Sequence, residues 1–224
     1  MRLTILLTIC LLVPSLWQLE TGQSKTALDQ PTQALELHHA RSIDAFRQIL
    51  AGAGVPGGIV VFGDPLTEPS LDFLMPAGKS LRETMNSLVE VDPRYRWETD
   101  KGVVNVLPIV NRQSILDLRI EAFSSRDAKD VNLALEHLLQ KSEIKERISQ
   151  LGLTQAPREF GPTSVQKAGS ESISPVKRVS VECKEATVRQ ALNSIARADG
   201  KAIWIYEEFQ QQGRPVFRIY FGVR

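Results

Sequence analysis

Cysteine is nearly missing from this chain. Its 224 residues include two, Cys10 and Cys183. Cys10 lies in an apolar N-terminal run, so a chain without that run keeps one thiol, and an internal disulfide is excluded. A surplus of one charge is missing too: 27 basic and 26 acidic residues leave a formal net charge of +1. With no long run of Lys and Arg, the footprint of a nucleic-acid binder is absent. No phosphate loop is present. The glycines at 54, 57 and 58 follow a helical pattern and precede an apolar strand, the reverse of the required order, with no Gly-Lys-Ser/Thr ending. Beyond the N-terminus no apolar stretch approaches the roughly 20 residues a membrane helix needs. What remains is 42% hydrophobic and long enough to bury a sizeable core without metal or disulfide.

The N-terminus has the layout of an export signal. Arg2 is followed by an uncharged apolar run at 3–13, then by Pro14, with small residues at Gly22 and Ser24. Residues 1–24 are expected to be a signal peptide or, uncleaved, an N-terminal anchor, which would be the only membrane attachment. The expected location is the periplasm, the cell envelope or the medium outside. Ile9 precedes Cys10 where a lipid-modified cysteine needs a small residue.

Periodicity then organises the chain. After a polar leader at 23–33, Ile43, Phe46, Ile49 and Leu50 recur at helical spacing, and Gly52, Gly54, Pro56 and the Gly57-Gly58 pair stop the helix. Residues 59–62 form a buried strand and residues 71–75 a second, short one. Ser80 with Glu83 is a capping box opening a helix whose buried stripe is Leu81, Met85 and Leu88, ended by Pro93. Tyr95 and Trp97 alternate with Arg94, Arg96 and Glu98, the signature of a half-buried strand. Asp100-Lys101-Gly102 is a hairpin turn into a strand at 103–107.

This pattern recurs near the C-terminus. Residues 187–195 lie without a gap against residues 80–88, pairing Arg82 with Arg189, Asn86 with Asn193 and Ser87 with Ser194. The same offset pairs Trp97 with Trp204. Strands are expected at 179–183, 201–206 and 216–221, so an internal repeat is present. A weaker echo lies between the copies. Residues 115–123 alternate as a half-buried strand, and Asp130 caps a helix with Val131, Ala134, Leu135 and Leu138, extended by Ile144, Ile148 and Leu151 to Gly152. The Pro-, Gly- and Ser-containing stretch at about 154–177 is expected to be a flexible linker. The expected fold is α+β: two related small modules at 34–110 and 114–224, each with helices packed on short mixed or antiparallel sheets.

Over residues 34–108 the chain resembles the short N-terminal domain shared by secretins and TonB-dependent receptors. Ala45-Phe46 with Ile49, the glycine-ended strand, Ser80-Leu81 with Met85 and Leu88, and Tyr95-Arg96-Trp97 fall in that family's order. Residues 115–221 look like a second, stretched copy. It departs from the pattern after its first helix, where a longer helix and a polar linker replace a strand. The resemblance implies a periplasmic protein-docking element. Such modules precede an outer-membrane channel or barrel, and with none seen up to Arg224, only the docking role is expected to carry over.

Candidate chemistry is sparse. His38-His39 lack the further ligands of a metal site. Cys183, with His137 as a possible base, shares its strand face with Val179 and Val181, which favours an inert buried thiol. Trp97 and Trp204 serve either as core anchors, the favoured role, or as sugar-stacking platforms. The two copies differ on their outer strand faces: Arg96 and Glu98 in the first, Ile203 and Ile205 in the second, where Val216 and Tyr220 extend the apolar surface. That face is expected to be an interface, with the rest of the chain or with another protein. The expected function is a non-catalytic docking module with no cofactor or metal, whose partner is an unidentified envelope protein. The alternative is a glycan- or peptidoglycan-binding module using the strand aromatics.

Overall fold

The computed structural model describes residues 27–63, 67–156 and 178–222. The export segment at 1–24 and residues 157–177 of the expected linker lie outside them. The protein is an α+β fold. Its first unit runs β1 (Leu35–Arg41), α1 (Ser42–Ala53), β2 (Gly57–Phe62), β3 (Ser70–Met75), α2 (Leu81–Val91), β4 (Tyr95–Asp100) and β5 (Val103–Pro108). The second runs β6 (Arg119–Ala128), α3 (Val131–Leu139), α4 (Ser142–Gln150), β7 (Thr154–Gln155), β8 (Val179–Thr187), α5 (Val188–Asp199), β9 (Ile203–Gln211) and β10 (Arg214–Phe221).

Local chemistry sets many of these boundaries. Ser80 Oγ accepts the Glu83 N–H at 3.2 Å, and the Glu83 carboxylate accepts the Ser80 N–H at 2.8 Å, a complete capping box on α2. Thr187 and Gln190 repeat it on α5 at 3.2 and 2.9 Å. Asp130 caps α3 through the Leu133 N–H at 2.9 Å. Gly54, at φ 64°, ends α1 in the left-handed conformation that glycine adopts without a Cβ penalty.

The units join through their sheets. A six-stranded sheet has the order β4-β5-β2-β9-β10-β7, and β1–β3 and β6–β8 form separate antiparallel pairs. β2 lies parallel to both β5 and β9, so it is an interior strand. That position explains its unbroken apolar run: an interior strand with both faces covered has no polar side to alternate with. The same reason turns residues 203–206 of β9 into Ile-Trp-Ile-Tyr, all four buried.

Two cores lie on opposite faces of this sheet. Ile59, Val61, Ile203 and Ile205 point into the first, with α1, α2, β1 and β3. Val60, Trp204 and Tyr206 point into the second, with α3, α5, β6 and β8. The order of layers is therefore β1–β3, α1 with α2, the central sheet, α3 with α5, and β6–β8. Each core takes side chains from both units, so neither unit closes its core alone.

The middle of the chain differs from its periodicity. Residues Ile115–Asp117 form a 3-10 turn, and the strand is β6, beginning at Arg119. The expected long helix is two, α3 and α4, broken at Gln140 and Lys141. The stretch assigned to the linker begins with structure: Thr154 and Gln155 pair with Val216 and Phe217, and the Ala156 N–H donates to the Phe217 carbonyl at 2.8 Å.

Candidate functional site

The repeat places one hydrogen bond in both units. Asn86 on α2 accepts the Trp97 indole N–H at 2.9 Å, and Asn193 on α5 accepts that of Trp204 at 2.9 Å. Each bond ties a helix to the strand that begins the following hairpin and fixes the indole over that strand.

The hairpins determine which backbone groups face outward. β4 and β5 are joined by Lys101 at φ 49° and Gly102 at φ 84°, a two-residue turn with both residues left-handed. Asp100 and Val103 flank that turn as a hydrogen-bonded pair. Glu98 and Arg96 therefore aim their N–H and C=O groups at β5, while Tyr95, Trp97 and Thr99 aim theirs away from it. Gln212 at φ 52° and Gly213 at φ 74° close the β9–β10 hairpin in the same way. There the outward groups belong to Trp204, Tyr206 and Glu208.

These two edges meet different fates. β2 covers the β9 edge, pairing Gly57 to Phe62 with Ile203 to Glu208 in register. The Ala202 carbonyl accepts from Gly57 N–H at 3.1 Å, and the Glu208 carbonyl accepts from Gly63 N–H at 3.0 Å. Close approach requires the glycines. A Cβ on Gly58 would stand 2.1 Å from Trp204 Cζ2, and one on Gly57 would stand 2.6 Å from Leu50 Cδ1. On β4, the outward groups of Tyr95, Trp97 and Thr99 have no paired strand among the described residues. Trp97 is half-buried and Thr99 exposed.

One face of β4 is tied to the second unit. Arg189 on α5 reaches Glu98 at 3.0 Å, and Asn193 donates to Asp100 at 3.0 Å. Asn193 thus serves Trp204 and Asp100 together. On the opposite face, the Arg82 guanidinium lies 6.0 Å from the centre of the Trp97 ring.

Of the residues expected to form an interface, Ile203, Ile205 and Val216 are buried and Tyr220 is half-buried. Ile203 and Ile205 are 5% and 1% exposed and pack in the first unit's core, with Tyr220 against it. Val216 is also buried, paired with Phe209 and Thr154. Most of this apolar face is therefore covered within the chain, with Tyr220 left half-buried at its margin. Burial pushes the Tyr220 phenol up to about 12, with Glu207 adding to the shift. Trp204 is wholly buried, so a pair of tryptophan platforms for sugars loses its second member.

Other expected chemistry is dispersed. His137 Nδ1 shares a hydrogen bond with the buried Ser125 Oγ at 2.9 Å, tying α3 to β6. Cys183 is a half-buried free thiol whose pKa is raised by burial. His38 pairs with Glu36 at 2.9 Å, and the His39 N–H bonds to Asp72 at 2.9 Å. Among the described residues no group of three or more His, Cys, Asp or Glu is placed to hold a metal.

One charged cluster left no mark in the sequence. Arg94 grips Asp92 with two bonds of 2.6 and 2.8 Å, Ser42 donates to Asp92, and Glu68 lies 3.8 Å from Arg94. Burial works against the Asp92 carboxylate, but the Arg94 and Ser42 hydrogen bonds outweigh it and lower its pKa. Glu68 shifts upward because burial exceeds the pull of Arg94. The cluster clamps the start of α1 to the end of α2. Its members are far apart in sequence, except for Asp92 and Arg94, so no local pattern announces it.

Comparison with protein-family models, with curated proteins and with solved structures finds no match.

Proposed function

We propose that this chain is a non-catalytic protein-docking module of the cell envelope. The observation that carries the reading is the pair of matching edges, one filled and one open. In the second unit, a strand lies along the edge that bears Trp204; the same edge in the first unit, bearing Trp97, has no strand beside it among the described residues, where the Tyr95 N–H turns back to the Asp92 carbonyl at 3.3 Å and those of Trp97 and Thr99 face outward. Strand addition at such an edge is a common mode of peptide recognition, with main-chain bonds supplying affinity and side-chain fit supplying selectivity. The envelope location rests on Arg2 and the apolar run at 3–13. The resemblance to the secretin and TonB-dependent receptor domain agrees with a docking role.

Site-directed photo-crosslinking tests the proposal. A photoreactive side chain replaces Thr99 on β4 or, as a control, Glu143 on α4, and the cells are irradiated intact. A discrete protein adduct from position 99 and none from position 143 is expected. Equal adducts at both positions, or none, would defeat the docking role. An adduct of position 99 with peptidoglycan would transfer the site to the glycan-binding alternative.

A further inference from the structure

The junction between the units also specifies what the open edge accepts. We propose that β4 binds an extended segment of a partner protein, running parallel to β4, with glycine where it crosses Trp97. This rests on the docking reading and adds the chemistry of the occupant.

The internal repeat carries the argument. Trp97 and Trp204 occupy corresponding positions, and each is held by an asparagine of the preceding helix at 2.9 Å. Both hairpins turn on two left-handed residues, so both present the tryptophan's N–H and C=O to the outside. On β9 that arrangement holds a parallel strand, and the residue opposite Trp204 is Gly58. Its missing side chain is a steric requirement, because a Cβ there would lie 2.1 Å from the indole. An indole held the same way on β4 imposes the same demand.

The other face of the occupant differs. Around the filled edge, Ile203 and Ile205 demand apolar neighbours. At the open edge the corresponding residues are Arg96 and Glu98, followed by Asp100. The bound segment is therefore polar on that face; Glu98 is already shared by Arg96 and Arg189 and Asp100 is held by Asn193, so a basic side chain beside them adds a further partner to carboxylates that keep their internal bonds. Among its described residues, a second copy of the chain offers no free strand with this pattern. Its β2 strand, which has the glycines, is already enclosed between β5 and β9. Its sheet-end strand β7 offers Thr154 and Gln155 and no glycine.

The probe is a synthetic peptide of residues 55–63 carrying Ile59→Lys and Val61→Lys, which places lysines beside Glu98 and Asp100. Labelled peptide is titrated with the full chain and followed by fluorescence anisotropy. Saturable binding is expected, at least about tenfold weaker for the same peptide with Gly58→Val, equivalent to about 1.4 kcal/mol. In the protein, Thr99→Pro removes an outward N–H at a position where an edge strand tolerates proline, and should abolish binding while keeping the thermal midpoint. Trp97→Ala opens space, so the valine peptide should then bind as well as the glycine peptide. That gain of binding keeps the proposal testable even if the proline variant fails to fold.

Equal binding of the glycine and valine peptides to the unaltered protein would overturn the proposal. So would no saturable binding up to about 1 mM. Self-association removed by Thr99→Pro would assign the edge to a second copy instead. The two proposals can fail separately: envelope adducts reached through another surface keep docking and remove this edge. Selective peptide binding without any envelope adduct keeps the edge and removes the docking role.

Discussion

Among the described residues, Trp97 stands on a strand with one neighbour and Trp204 on a strand with two. Their immediate bonding is the same, an indole N–H given to an asparagine of the preceding helix at 2.9 Å. Their surroundings are opposite: Trp204 is fully enclosed, while Trp97 is half-buried. The difference lies in the flanking residues. Isoleucines beside Trp204 pull its edge into the first unit's core, and charged residues beside Trp97 keep its edge in water. One framework thus serves as a structural joint in one place and as an unfilled edge in another.

A large loss of stability is expected from blocking the joint between β2 and β9. Gly58→Val should cost about 3 kcal/mol, because the new side chain meets a ring that cannot retreat from a sealed core. A chemical denaturation midpoint close to that of the unaltered chain would show that β2 does not lie on β9. Removing the rings comes next. Trp204→Ala is expected to cost about 4 kcal/mol and Trp97→Ala about 1 kcal/mol, measured in the same denaturant series. Similar losses at both positions would erase the distinction between filled and open edges.

Smaller changes sharpen it. Asn193→Ala leaves the Trp204 N–H buried without its acceptor and Asp100 without its donor, at a cost of about 2 kcal/mol. Asn86→Ala should cost under about 0.5 kcal/mol, since water reaches the exposed Trp97 bond. Thermal denaturation distinguishes these values, and a reversed order would sink the assignment. The helix caps should not distinguish the units at all. Ser80→Ala and Thr187→Ala each remove the hydroxyl half of a capping box, and each is expected to lower stability by about 1 kcal/mol. Hydrogen exchange in the first turns of α2 and α5 would reveal any inequality.

What could be seen in the sequence was local. The caps at Ser80 and Thr187, the helical stripes and the tight turn at Lys101-Gly102 all act between residues a few positions apart, so each leaves a pattern. The tryptophan pairing was also visible, because it accompanies an ungapped helix. What stayed hidden depends on distant chain segments. His39 and Asp127 occupy matching bulges, at φ 49° and 50°, with their N–H groups bonded to Asp72 and Ser180 respectively. Nothing in their identities is shared, because the common feature is a backbone shape. The merger of the sheets was hidden for a related reason. The apolar run of β9 announced a surface needing cover, but only the pairing with β2 shows that the first unit supplies it. The open edge was harder still, since an unpaired amide has no sequence code.

The order β4-β5-β2 followed by β9-β10-β7 repeats in one direction across the sheet, while the helices change face from one unit to the next. Such a head-to-tail relation does not close on itself, unlike a two-fold pairing. Geometry alone sets no upper limit on the number of units that could be added in this way. What differs is the character of the two ends. At one, β7 is two residues long, a blunt terminus of the sort that discourages further pairing. At the other, β4 runs for six residues. Among the described residues the sheet therefore has a polarity, with a two-residue edge strand on one side and a six-residue one on the other.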